Sequence, residues 1–160
     1  MANTRAPGMD QPYYGYSAIT DRRPLRWPGD RPVALLVILC AEHYDWAVPP
    51  GAFATAAGGI PFQHAGLTDV RTYSHREYAN RVGIFRVMEV LDKHGIRATL
   101  AVDSTVASEY PIVIDAARQR DYEFICHGVA VTRLVTSRMT EEEERAYIRE
   151  SVDAVSGCKR

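Results

Sequence analysis

The chain has 160 residues, of which 46% are hydrophobic and 24% charged, and its formal net charge is −1. This length suits one domain with a packed core, and the balanced charge excludes the basic surface that nucleic acids and anionic membranes require. No window approaches the roughly 18 apolar residues of a membrane span, and residues 1–10 lack the apolar stretch of a signal peptide. The cysteines, Cys40, Cys126 and Cys158, form no CxxC pair, which predicts reduced thiols in the cytoplasm.

The first half of the chain divides into three stretches. Residues 1–32, rich in Pro, Arg and Tyr, predict an extended N-terminal arm, and the domain proper is predicted over 33–160. The apolar run 33–41 predicts a central parallel strand that is covered on both faces. Residues 48–72, rich in Gly, Ala and Pro, predict a long loop of the kind that binds ligands or closes over a site.

Beyond that loop, helices and strands alternate. Helical spacing begins near Ser74, with one apolar face predicted from Tyr78, Val82, Phe85, Met88 and Leu91. Gly95 ends that helix, and strands over 98–102 and 122–126 flank a helix near 106–120 that Pro111 interrupts. A capping box from Thr140 to Glu143 starts the last helix, whose predicted apolar face is Ile148, Val152 and Val155. This order predicts an α/β fold in which right-handed βα units build a parallel sheet.

Two of the predicted strands are followed by polar side chains. Glu42, His43, Tyr44 and Asp45 follow the first strand, and His127 with Gly128 follows the third. Loops after the carboxyl ends of parallel strands collect reactive groups. If these strands are neighbours, Glu42, His43 and His127 share one pocket.

Such side chains suit the hydrolysis of an amide, which requires a base for water and an acid for the leaving nitrogen. Glu42 could be the base and a histidine the acid. Equally, Glu42 could be a structural carboxylate that accepts loop N–H groups, and His127 a core histidine. His43 and Asp45 could bind a metal with His127, or be ordinary surface residues. A thiol nucleophile beside His127 is a further alternative, although inert cysteine is commoner at strand ends.

Four stretches resemble the polysaccharide deacetylase family, and within it the allantoinase-like branch. They are residues 16–34, Glu42-His43, the helix signature at 77–86, and Cys126-His127-Gly128 with the acidic helix start at 139–143. The resemblance implies a partial, truncated form of the family's distorted (β/α) barrel, because relatives are roughly twice this length. It also implies the hydrolysis of non-peptide C–N bonds in small amides or N-acetylated sugars.

By position, the resemblance assigns Glu42 the role of general base and gives His127 the place of the family's first histidine. We expect His43, Tyr44, Asp45 and Arg81 to bind the substrate.

No metal cofactor is expected. Metal-dependent members have an Asp-Asp pair where this chain has Glu42-His43, and a second histidine where it has Val131. Zinc held by His43 and His127 is the weaker alternative. The alternative to an enzyme is an inactive fragment or pseudoenzyme that acts by association, including with copies of itself.

Overall fold

The computed structural model describes residues 14–46 and 70–158. The chain forms two compact units, Met1–Leu35 and Leu36–Arg160. In the first unit the described residues form two 3-10 turns, Ile19–Asp21 and Pro28–Asp30. Their side chains are almost all exposed. The division into an arm at 1–32 and a domain at 33–160 stays a prediction. The predicted loop at 48–72 lies outside the described residues except for its last three, which begin a helix.

The second unit contains a three-stranded sheet. Its strands are β1 (Ile38–Ala41), β2 (Thr99–Val102) and β3 (Glu123–Cys126), in the order β1-β2-β3. Both pairings are parallel, with Ala41 opposite Val102 and Val102 opposite Cys126. The predicted α/β class with a parallel sheet is confirmed.

Helices connect and follow the strands. They are α1 (Val70–Tyr78), a π-helical segment (Ala79–Gly83), α2 (Ile84–Lys93), α3 (Ser104–Glu109), α4 (Pro111–Gln119) and α5 (Glu141–Cys158). Pro111 starts α4, where its missing N–H costs nothing. At the start of α5, Thr140 N donates to Glu143 Oε2 over 2.8 Å and Glu143 N donates to Thr140 Oγ1 over 3.3 Å. The predicted break and capping box are therefore confirmed. None of the described helices is long and apolar enough to cross a membrane.

The prediction of a central, covered strand at 33–41 is wrong in position. β1 has four residues and lies at one edge of the described sheet, whereas β2 lies between the other two strands and is buried throughout. Leu35 is 83% exposed and Leu36 68% exposed. Apolar composition reports the capacity of a strand to be covered, but strand order depends on the crossovers.

Two predicted helix faces also need correction. Met88 and Leu91 are buried as expected, but Tyr78 is 49% exposed, because the π-helical turn inserts a residue and rotates α1 relative to α2. In α5, Ile148 and Val152 are about half exposed, while Ser151, Val155 and Cys158 are buried. Ser151 turns inward because its hydroxyl accepts a hydrogen bond from Gly128 N.

The core is built from side chains of the sheet and of α2, α3, α4 and α5. Its fully buried members include Met88, Leu100, Val102, Val106 and Val113. Burying each such side chain stabilises the fold by about 1.5–3 kcal/mol. This core fixes the carboxyl ends of the strands, from which the polar side chains project.

Candidate active site

Glu42 and His127 meet at the carboxyl edge of the sheet. Glu42 follows β1 and His127 follows β3, so the strand register places them on either side of the end of β2. The condition that β1 and β3 be neighbours is wrong, since β2 separates them. Both side chains nevertheless reach across β2, and Glu42 Oε1 lies 3.0 Å from His127 Nε2.

The pair is open to solvent. Roughly a third of each side chain is exposed, 33% for Glu42 and 38% for His127. A carboxylate oxygen and a ring nitrogen at 3.0 Å share one hydrogen bond, in which either group can hold the proton. Tyr44 Oη lies 3.5 Å from Glu42 Oε2, at the limit of a hydrogen bond. Water or a small substrate can therefore reach a carboxylate that already has a proton-exchanging partner.

Asn80 holds the backbone of Glu42 in place. Its side-chain amide donates to the Glu42 carbonyl oxygen over 2.7 Å, and the residue is 4% exposed. Asn80 lies in the π-helical segment, a rare conformation that recurs at functional sites. Sequence reasoning assigned Asn80 no separate role, although it lies within the helix signature at 77–86.

Asp103 is the second residue that sequence reasoning missed. It is 1% exposed, and its two carboxylate oxygens accept from Val106 N (2.7 Å) and His43 N (2.6 Å). One carboxylate therefore caps α3 and also holds the loop that follows β1. Burial raises the pKa of Asp103, and the two backbone N–H groups oppose that rise. The signal was an Asp between a strand and a helical run, the usual N-cap position.

His43 is positioned by a network of its own. Its Nδ1 lies 3.5 Å from Tyr110 Oη, and that hydroxyl donates to Glu77 Oε1 over 2.5 Å. Burial, together with Glu77, raises the pKa of Tyr110, so the phenol stays protonated. The His43 carbonyl accepts from Val131 N over 3.0 Å. The imidazole is thus directed to Tyr110.

Asp45 is already bonded within the protein. Its carboxylate accepts from Thr132 Oγ1 (2.5 Å) and from two nitrogens of Arg133 (3.0 and 3.2 Å). Burial raises its pKa, but the bonds from Arg133 and Thr132 outweigh burial and hold the pKa below its ordinary value. Asp45 therefore ties the loop after β1 to the loop at 130–133.

The other two expected substrate ligands differ in their surroundings. The guanidinium of Arg76 stacks on the Tyr44 ring, 3.8 Å from its centre. Arg81 is exposed in the π-helical segment and interacts electrostatically with Tyr73. Tyr44 therefore lies beside Glu42, whereas Arg81 makes no hydrogen bond or ion pair with Glu42 or His127 among the described residues.

The loop of His127 is anchored by α5. Val129 N donates to Tyr147 Oη over 3.0 Å, and Gly128 N donates to Ser151 Oγ over 3.2 Å. Gly128 has a φ of +94°, and a Cβ there would lie 2.4 Å from Tyr147 Oη. Only glycine combines this left-handed backbone with so close an approach. His127 is therefore held by a fixed turn.

The cysteines differ in their relation to the pair. Burial and the Glu42 carboxylate raise the pKa of the Cys40 thiol, which disfavours its use as a nucleophile. Among the described residues, Cys40, Glu42 and His127 form a group whose potential ligand atoms all lie within 4.8 Å of one another. His43 does not belong to that group, and Val131 offers no ligand atom. The residues present here therefore do not reproduce the set of metal ligands found in the metal-dependent members of the family.

Comparison with known proteins identifies the family of this chain. The profile of the polysaccharide deacetylase family matches residues 71–158, more than half of the chain. The chain belongs to the polysaccharide deacetylase family. The matched range of this family member includes Asn80, Asp103 and His127, while Glu42 precedes it.

A solved structure supports the same fold. The structure titled "Crystal structure of Puue Allantoinase" superposes with a TM-score of 0.69 at 22% sequence identity, over 91% of this chain. The alignment covers 50% of that chain, so the deacetylase-family chain described here spans about half the length of this relative. No curated protein sequence matches the chain. The predicted family and partial barrel-type fold are confirmed.

Proposed function

We propose that this protein hydrolyses a non-peptide C–N bond in a small linear or cyclic amide, with Glu42 as general base. The main observation in support is the 3.0 Å contact between Glu42 Oε1 and His127 Nε2 at an exposed edge of the sheet. Membership of a deacetylase family supports an amide substrate. N-acetylated sugars and cyclic amides both fall within this class.

The chemistry needs two proton movements. Glu42 takes a proton from water as the oxygen attacks the carbonyl carbon, and a tetrahedral intermediate forms. The C–N bond then breaks, and the leaving nitrogen receives a proton through His127. Positioned acid–base groups of this kind accelerate such reactions by about 10²–10⁴-fold.

Neighbouring residues divide between substrate contact and support. Tyr44 and His43 lie beside the pair and are proposed to contact the substrate. Asp45, whose oxygens are bonded to Thr132 and Arg133, is proposed to position that loop. Arg81, exposed near Tyr73, is proposed to supply positive charge to an anionic substrate or product.

Substitution of Glu42 tests the proposal. Glu42→Gln keeps the shape and removes the base, so we expect kcat to fall at least about 100-fold while thermal unfolding is unchanged. Activity is measured as acid release by pH-stat on hydantoin-type cyclic amides and on N-acetylglucosamine oligomers. Glu123→Gln, an exposed glutamate at the opposite end of β3, is the matched control and should retain activity. Turnover in Glu42→Gln within twofold of wild type would remove Glu42 from the mechanism.

Association is a second candidate function, favoured by the apolar edges of the sheet. Ile38 in β1 is 45% exposed and Ile125 in β3 is 42% exposed. Exposed apolar edge strands template pairing with another chain. Light scattering after size exclusion should then show a concentration-dependent dimer that Ile38→Lys and Ile125→Lys weaken. A monomer at all concentrations contradicts self-association.

A further inference from the structure

A thiol stands beside the proposed acid–base pair. Cys40 is two residues before Glu42 along β1 and its continuation, so both side chains project from the same face. The Cys40 sulfur, a Glu42 oxygen and a His127 nitrogen all lie within 4.8 Å of one another. Cys40 is exposed, and about a third of each of the other two side chains is exposed. An ion from solvent can reach all three.

Two of the three ligand atoms are spaced nearly as in a tetrahedral metal site, and the Cys40 sulfur lies within 4.8 Å of both. Bonds of about 2.3 Å to sulfur and 2.0–2.2 Å to nitrogen and oxygen separate the ligand atoms by roughly 3.3–3.6 Å. Glu42 Oε1 and His127 Nε2 are 3.0 Å apart, so the two need to open by only a few tenths of an ångström. Asn80 and Asp103 hold the loop of Glu42, and Tyr147 holds that of His127. Two of the three ligands are therefore positioned in advance.

We propose that Cys40, Glu42 and His127 form a site for a thiophilic divalent ion such as Zn²⁺ or Cd²⁺, and that the bound ion inhibits the hydrolase. Thiolate and imidazole ligands select soft ions of this kind over Mg²⁺ or Ca²⁺. On binding, the thiol proton of Cys40 passes to solvent buffer and the thiolate forms the metal–sulfur bond.

The bound ion would inhibit the hydrolase because Glu42 is both a metal ligand and the proposed general base. A carboxylate oxygen that donates its lone pair to the ion cannot take a proton from water, and His127 loses its free Nε2 in the same way. This part of the inference rests on the proposed function, whereas ion binding does not. The site would make turnover sensitive to free zinc.

Cadmium titration tests the binding directly. A Cd²⁺–thiolate bond produces an ultraviolet charge-transfer absorption, which reports the site without any substrate. We expect the purified protein to develop one equivalent of this absorption, and Cys40→Ser to lose it. Cys126→Ser is the matched control, because Cys126 is exposed at the end of β3 beside His127 but outside the group. It should retain the absorption, while Glu42→Gln should weaken Cd²⁺ binding about tenfold or more.

Binding of the ion and inhibition of the hydrolase are contradicted by different results. Absence of the absorption in wild type, or equal absorption in Cys40→Ser, overturns the site and leaves the role of Glu42 to the pH-stat assay. If the absorption is present and Zn²⁺ fails to inhibit, or stimulates, turnover of wild type, the competition is overturned. Inhibition that is weakened at least tenfold in Cys40→Ser and unchanged in Cys126→Ser supports both parts.

Discussion

The strands of the sheet begin at one side, here called the amino edge, and end at the other, the carboxyl edge. Both carry carboxylates that are paired with nitrogen groups, but the partners differ. At the edge where β2 and β3 begin, Arg120 binds Asp92 over 2.9 Å and Arg97 binds Asp121 over 2.5 Å. At the edge where the strands end, Glu42 is paired with His127.

The difference is one of proton exchange. A guanidinium stays charged at any pH a protein survives, so its ion pairs hold turns together without moving protons. An imidazole has ring nitrogens that can both donate and accept a proton, so it can exchange one with a partner. The carboxyl edge therefore combines the proposed acid–base pair with rigid support, whereas the ion pairs described at the amino edge provide support alone. Substitutions at matched positions can sharpen or break this contrast.

The largest stability loss is expected for Asp103→Ala. It leaves two backbone N–H groups, of Val106 and His43, without their acceptor. Each orphaned donor costs about 1–3 kcal/mol, so we expect a loss of about 2–6 kcal/mol in the free energy of unfolding, with a lower kcat. Urea denaturation measures it. The amino-edge control Asp92→Asn should cost at most about 1 kcal/mol; equal losses in the two variants would break the contrast.

The next largest loss of stability is expected for a glycine substitution at the carboxyl edge. Gly128→Ala places a Cβ 2.4 Å from Tyr147 Oη at a φ of +94°, whereas Gly95→Ala at a φ of +61° meets open space. We expect losses of about 2–4 kcal/mol for Gly128→Ala and about 1 kcal/mol for Gly95→Ala. Thermal unfolding of both variants provides the measurement. Tyr147→Phe alone removes the acceptor of Val129 N, so the comparison is made within that background: Gly128→Ala should cost less in Tyr147→Phe than in wild type, and an equal cost in both would show that steric contact is not the cause.

A smaller, pH-dependent effect is expected at Asp45. The pKa of Asp45 lies below its ordinary value of 3.8, so its ionised form stabilises the fold. That contribution is complete above the ordinary value and is lost as pH falls through the lower, folded pKa. Arg133→Gln should therefore destabilise the protein by up to about 1 kcal/mol at neutral pH and by less near pH 3. Urea denaturation at both pH values measures it, and a difference that grows on acidification would contradict the assignment.

The smallest effect is expected at the amino edge. The Arg97 and Asp121 side chains are 58% and 87% exposed, and exposed pairs of this kind contribute at most about 1 kcal/mol. Arg97→Ala should change the free energy of unfolding by less than about 0.5 kcal/mol and leave kcat unaltered. A large loss of activity would show that the amino edge has a chemical role as well.

Local patterns predicted the elements well, because caps and breaks act over a few residues. The break at Pro111, the capping box at Thr140 and the helix end at Gly95 are all present in the structure. Alternating strands and helices were sufficient for the α/β class, and the residues after two strands pointed to Glu42 and His127.

The other features of the fold and of the candidate site could not be predicted, because they depend on strand order and on contacts between residues that are distant in sequence. The position of β1 at an edge follows from strand order, and the burial of Ser151 from its contact with Gly128. Asn80 acts on a backbone group distant in sequence. Asp103 has a local signal as the N-cap of α3, but its bond to His43 N is distant in sequence and required the fold. Cys40 was noticed as a thiol, but its closeness to both members of the pair required the fold.

The π-helical segment makes this helix sensitive to its own length. Each residue of an α-helix turns the chain by about 100°, and a π-turn accommodates one surplus residue. Deleting a single residue between Ala79 and Gly83 would restore an uninterrupted α-helix and swing α1 around its axis. Asn80 would then point away from the Glu42 carbonyl although every side chain of the pair remained. Counting residues in this short stretch of relatives thus shows which of them can keep the bond from the asparagine to the backbone at the position of Glu42.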